Sequence, residues 1–245
     1  MIYWPQVFFL TAIALPGIFI AIPRLIFMLV EGAPEPLKKR LSKLASIQTL
    51  LMTFIMALAG TALSPRTGLK APLIENMLAG RAIGHQVFEH LLAIFLISIA
   101  GSIAFFFLYY QIFGKRLSST TLAIMKRMRK SLGLDGCVLY GGIVEEILVR
   151  WGLMNLLVFF GGLFLGTIND NVIYLGIFLS GLIFAFGHFP TYLAAGCEKT
   201  RFFALTVISL NLFVSCILGY LFWQYGLLAA MFGHACLHIL WWYYD

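Results

Sequence analysis

The sequence predicts an all-α, polytopic transmembrane helical bundle of about seven to eight spans. Three observations predict it. Charged residues make up only 11% of the 245 residues and hydrophobic ones 61%, whereas a soluble domain carries about 25% charged residues. Mean hydropathy is +0.94. Apolar runs of about 20 residues recur along the whole chain, and each is long enough to cross ~30 Å of hydrocarbon. The ~10-residue alternating segments of a β-barrel are missing. The first apolar run is long and lacks a basic leading region, so it reads as a span and not as a cleavable leader.

Taken in order, the spans fall near residues 2–30, 44–63, 91–113, 137–160, 172–189, 202–223 and 226–244. The first holds Pro5, Pro16 and Pro23, which predict a kink or an interfacial start. Residues 71–90 are amphipathic enough for an interfacial or short re-entrant helix, which would be the eighth. Residues 117–134 mix apolar side chains with a Lys-Arg-Met-Arg-Lys cluster. That stretch reads either as a surface helix drawn to anionic lipid or as a basic loop that sets topology. No internal repeat or soluble domain interrupts the chain, so residues 1–245 form a single membrane domain.

Lysines and arginines set the orientation. Lys38, Lys39, Arg40 and Lys43 follow the first span. Lys115, Arg116, Lys126, Arg127, Arg129 and Lys130 follow the third, and Lys199 and Arg201 the fifth. Opposing loops hold only Arg66, Lys70 and Arg81. Seven spans put the three basic loops on one side, with the N-terminus outside and Asp245 cytoplasmic. Compact loops point to a prokaryotic inner membrane. The net charge of +7 sits beside spans and does not indicate nucleic acid. Cys137, Cys197, Cys216 and Cys236 are scattered and form neither a disulfide frame nor a zinc site.

Function is concentrated in three polar intrusions. Glu145, Glu146 and Arg150 lie inside the 137–160 span, where each such side chain costs roughly 2.5–3.5 kcal/mol at a bilayer centre. Glu146 and Arg150 are i,i+4 neighbours and can pair. Glu145 is rotated about 100° away. It lies over Gly141 and Gly142, which leave room for water or a substrate backbone, and burial suits it to act as a general base. Alone, the triplet could equally be a packing ion pair or part of a transport path. His188 follows Phe184 by one turn and precedes Pro190, which ends or bends its helix. His234 and His238 share one face of the last span. Such a pair can bind a metal or present two donors to an oxyanion. No Glu follows His234, so the zincin pattern HExxH fails. His85, Glu89 and His90 make a second cluster with poor geometry for a shared ligand, and it is assigned no role.

The ordered set Glu145-Glu146-x-x-x-Arg150, Phe184-x-x-x-His188 and His234-x-x-x-His238 resembles the CPBP family of intramembrane proteases. That family includes CAAX prenyl endopeptidases and bacterial Abi-type, bacteriocin-processing and immunity proteins. The resemblance covers a core at residues 136–242 and leaves residues 1–135 as accessory spans. It implies an endopeptidase in which Glu145 activates water with help from His188. His234 and the fourth position would stabilise the oxyanion, with Glu146 and Arg150 in support. An older reading of the family makes Glu145, His188 and His234 ligands of a catalytic zinc, and both readings stay open. Two positions depart from the family pattern. His238 stands where Asn or Asp is usual, and Val149-Arg150-Trp151-Gly152 replaces Phe-Arg-Gly.

The resulting expectation is hydrolysis of a membrane-embedded or lipid-modified peptide, reached through the bilayer or its interface. No Ser or Cys stands beside a base, so no covalent intermediate is expected. The alternative is a non-catalytic immunity or regulatory protein that binds peptide in the same cavity.

Overall fold

A computed structural model describes residues 2–81 and 89–245. His85 lies outside the described residues, as does part of the 71–90 segment. The architecture is helical throughout the described part. The helices are α1 (Trp4–Leu29), α2 (Glu35–Thr67), α3 (Pro72–Leu78), α4 (Leu91–Phe106), α5 (Ser119–Gly136), α6 (Asn155–Leu165), α7 (Asp170–Ala194), α8 (Arg201–Tyr225) and α9 (Leu227–Tyr244). Six helical stretches are long and apolar enough to cross a membrane, and the chain is a multi-pass integral membrane protein. The 18-residue α9 is not among the six, because His234, His238 and its terminal Trp and Tyr residues lower its apolarity.

Several boundaries differ from expectation. Residues 117–134 are not a loop: α5 runs on through the motif region to Leu165 as one 47-residue stretch. The break in that stretch is Gly133, whose φ of 77° only glycine adopts readily. A Cβ there would collide with Arg24 Nη1 and Asp135 Oδ1. Those two groups form a bidentate pair at 2.6 and 2.9 Å that ties α1 to the bend. Pro16 and Pro23 sit inside a continuous α1, and Pro190 sits inside α7, which continues to Ala194. A proline at each of these positions removes a donor without ending its helix.

Of the basic cluster of α5, Arg129 turns inward, while Lys126 is half-exposed and Arg127 and Lys130 are exposed. Arg127 pairs with Glu31, and Arg129 and Lys126 pair with Asp245. Three of its cations therefore meet carboxylates within the protein, which argues against a free lipid-binding face.

Between α5 and α6 the backbone widens into two π-helical segments, Cys137–Glu145 and Ile147–Met154. The i→i+5 pattern is rare and recurs at functional sites. Close approach of small residues holds this stretch in the bundle. Gly17 of α1 faces the Leu139 carbonyl, and Gly60 of α2 faces the Trp151 carbonyl. Any side chain at either glycine would strike that backbone. Small residues at helix crossings are the usual device in membranes, where lipid tails give no hydrophobic reason for helices to associate. Trp151 is fully buried and donates to the Ala57 carbonyl at 3.2 Å and to Thr61 Oγ1 at 3.3 Å. Asn155, also buried, bonds Thr67 Oγ1 and the Trp151 carbonyl. The Trp151 departure from the family pattern is thus the bolt between the motif helix and α2. Outward faces are apolar, as with Phe8, Leu51, Leu92 and Phe164.

Gly60→Leu is expected to overpack this crossing and to cost on the order of 1–3 kcal/mol. Thermal unfolding in detergent should show a clear drop relative to Gly32→Leu, since nothing lies within 4 Å of a Cβ at Gly32.

Candidate active site

Glu146 is the hub of the interior. It is completely buried, 0% exposed. Its Oε2 lies 3.3 Å from Arg150 Nε, and its Oε1 accepts from His234 Nδ1 at 2.7 Å. Arg150, 1% exposed, donates from Nη2 to Ser215 Oγ of α8 at 2.8 Å. Its guanidinium also lies 5.5 Å from the centre of the Phe184 ring in α7. One ion cluster therefore ties the π-helical stretch to α7, α8 and α9. A buried charge is tolerated only when paired and hydrogen-bonded, so this cluster fixes which faces of those helices turn inward.

The widened backbone presents Glu145 beside Glu146 but toward open space. Glu145 is partly exposed, at 17% of its side chain, and its Oε2 stands 3.9 Å from His234 Nε2. His188 comes from α7. Its Nδ1 donates to the Phe184 carbonyl at 2.9 Å, and its ring meets the Phe184 ring edge-on at 4.5 Å. A carbonyl can only accept, so Nδ1 carries the proton and the neutral ring keeps its lone pair on Nε2. Phe184 has two tasks: it sets the His188 tautomer and stacks on Arg150.

His234 and His238 stack with centroids 4.8 Å apart and planes 17° apart. Their helix can come this close because of Gly141 and Gly142. A Cβ on Gly141 would run into His238 Nε2, and one on Gly142 would press on Ala235. This corrects the expectation that the two glycines leave room for water. The space at Gly141 is filled by imidazole and that at Gly142 by Ala235 and the Met231 carbonyl.

Glu145, His188, His234 and His238 all line one cavity of about 470 Å³. Its walls are mainly apolar, with Ile22, Leu25, Met52 and Leu148 on the α1–α2 side and Val207 and Leu210 on the α8 side. Residues that the sequence did not single out also reach it or support it. Tyr192 is one turn beyond His188 and stacks near it at 6.3 Å, and Asn211 and Tyr140 belong to the wall. Their signal was available: Tyr192 is the i+4 neighbour of His188, and Asn211 and Ser215 are polar residues in an apolar span. Glu89 and His90 are exposed, and His90 packs against Tyr225 at 5.3 Å.

The zinc reading requires Glu145, His188 and His234 to place donors about 2.0–2.2 Å from one point. Among the described residues no three His, Cys, Asp or Glu side chains gather in that way. The chemistry argued below runs through water and protein groups.

Residues 132–240 match the family model described as type II CAAX prenyl endopeptidase Rce1-like. The match includes all three motifs and supports a CAAX-type intramembrane protease kind of function. No curated protein and no solved structure matches the chain.

Arg150→Met is expected to leave the Glu146 carboxylate buried without its cation, a loss of about 3–5 kcal/mol for such pairs. Thermal unfolding of the purified protein should show it as a large fall in midpoint. An unchanged midpoint would mean that the cluster does not hold the helices together.

Proposed function

We propose that the chain is an intramembrane endopeptidase of the CAAX type that hydrolyses a lipid-modified or membrane-embedded peptide with Glu145 as general base. The observation that carries this reading is the meeting of Glu145, His188, His234 and His238, from three separate segments, around one cavity. An ionised Glu145 accepts a proton from water, and the lone pair on His188 Nε2 holds the same water by its second hydrogen. The activated oxygen then attacks the scissile carbonyl, and the C–N bond breaks as the tetrahedral adduct collapses and Glu145 passes the proton it took from water to the departing amine.

The oxyanion so formed needs donors. His234 gives its Nδ1 proton to Glu146, so its Nε2 donates only when the ring is the imidazolium. That state balances charge locally: Glu145 and Glu146 are offset by Arg150 and His234. His238 supplies the second donor where relatives use Asn or Asp. Two preorganised donors in a site shielded from bulk water are the largest expected contribution to rate. Glu146 and Arg150 touch no substrate in this scheme and act as positioning residues.

Apolar walls beside a polar catalytic end suit a substrate with a long hydrocarbon group next to the cleaved bond. The balance of Lys and Arg puts the basic loops and Asp245 in the cytoplasm, with the N-terminus outside, in a prokaryotic inner membrane. Residues 136–242 would form the catalytic core on this reading, with residues 1–135 accessory.

Glu145→Gln should lower cleavage of an S-farnesylated CAAX peptide by roughly 10²–10⁴-fold, the usual contribution of a general base, while the protein stays folded in detergent. Retained cleavage would contradict the assignment. Peptide binding without cleavage by the unaltered chain would favour the non-catalytic alternative. His238→Asn should keep activity within about tenfold, whereas His238→Ala should lose about 10²–10³-fold, as removal of one oxyanion donor does. Steady-state kinetics on matched preparations separates the two.

A further inference from the structure

Arg129 is a cation in the wall of the same cavity, and the proposed chemistry does not use it. Its side chain is only 9% exposed, and it pairs with Asp245 Oδ2. The guanidinium lies over the Trp241 ring, 4.2 Å from its centre. Asp245 Oδ1 accepts from the Tyr110 hydroxyl at 2.9 Å, and that hydroxyl accepts from Trp241 Nε1 at 3.0 Å. Lys126 Nζ donates to the Asp245 backbone carbonyl at 2.9 Å and stands 3.8 Å from Oδ1. Two cations and a phenol thus hold one carboxylate.

The place of this cradle matters. Trp241 follows His234 by seven residues on α9, about 10 Å along the axis at 1.5 Å per residue. About three residues of extended peptide reach that far. A peptide with its carbonyl at His234 can therefore set a terminal carboxylate against Arg129. Arg129 and Lys126 both supply positive charge there. Arginine suits the task because its planar fork matches carboxylate geometry.

We propose that Arg129 is the docking point for the free carboxylate of the peptide substrate, and that Asp245 competes for it from within the chain. This rests on the protease reading for the position of the reacting carbonyl. In the resting protein Asp245 keeps the buried cation paired. An arriving carboxylate takes over that pairing, and Asp245 moves away toward Lys126.

The test uses a dansylated, S-farnesylated peptide ending in Cys-Val-Ile-Met, as the free acid and as the carboxamide. For the detergent-purified protein, KM for the acid is expected to be at least tenfold lower than for the amide. Arg129→Gln should bring the ratio near one, and Asp245→Asn should lower KM for the acid at least threefold. Equal KM values for acid and amide, a preference that survives Arg129→Gln, or an unchanged acid KM in Asp245→Asn would each overturn the proposal. Should Arg129→Gln not fold, the acid–amide and Asp245→Asn comparisons decide. Fluorescence binding of both peptides to the Glu145→Gln protein reads the same preference without cleavage. If the unaltered protein cleaves neither peptide, the protease reading has failed, and the binding ratio alone decides for or against Arg129.

Discussion

A completely buried carboxylate, Glu146, must be neutralised inside an apolar bundle, and the rest of the structure follows from how that is done. Arg150 stands 3.3 Å from one oxygen as an ion pair. His234 satisfies the other from a helix 88 residues away in sequence. Arg150 then extends to Ser215 and to the face of Phe184. Each partner belongs to a different helix, so the ion cluster specifies helix register in a setting where apolar contact with lipid would accept many registers. Buried ion pairs are weak evidence for stability but can fix a unique arrangement, and here the arrangement has a chemical consequence. It turns the neighbouring carboxylate, Glu145, into the cavity.

The division of labour between adjacent glutamates follows from exposure. Glu146 is sealed, hydrogen-bonded to His234 on one oxygen and ion-paired with Arg150 on the other, so its carboxylate serves as a fixed charge. Glu145 has a side chain 17% exposed and its nearest cationic candidate is 3.9 Å away, which leaves a lone pair for water. Two carboxylates one residue apart can differ this much because successive residues of a helix point about 100° apart. Glycine at 141 and 142 completes the geometry by letting the α9 imidazoles press against that backbone.

Much of this was legible in the sequence, and the losses have physical causes. Glu146 and Arg150 pair at 3.3 Å as their i,i+4 spacing implied, since a local interaction needs only local geometry. The helical membrane bundle was readable because hydropathy reports directly on the solvent. What periodicity could not give was the partner of His234, which depends on how distant helices pack. The fate of the Gly141 space was lost for the same reason: an absent side chain shows room but not its occupant. The π-helical widening escaped because the reading assumed 3.6 residues per turn. The basic stretch at residues 117–134 was ambiguous because its carboxylate partners, Glu31 and Asp245, lie far away in sequence.

The central claim is that Glu145 and the His188 Nε2 lone pair face one water held beside the buried cluster. A high-resolution experimental structure in lipid nanodiscs tests it most directly. One ordered water within roughly 3 Å of both groups, with His234 Nδ1 still on Glu146, is the result expected. Glu145 and His188 opening into separate environments, with no water common to both, would contradict it.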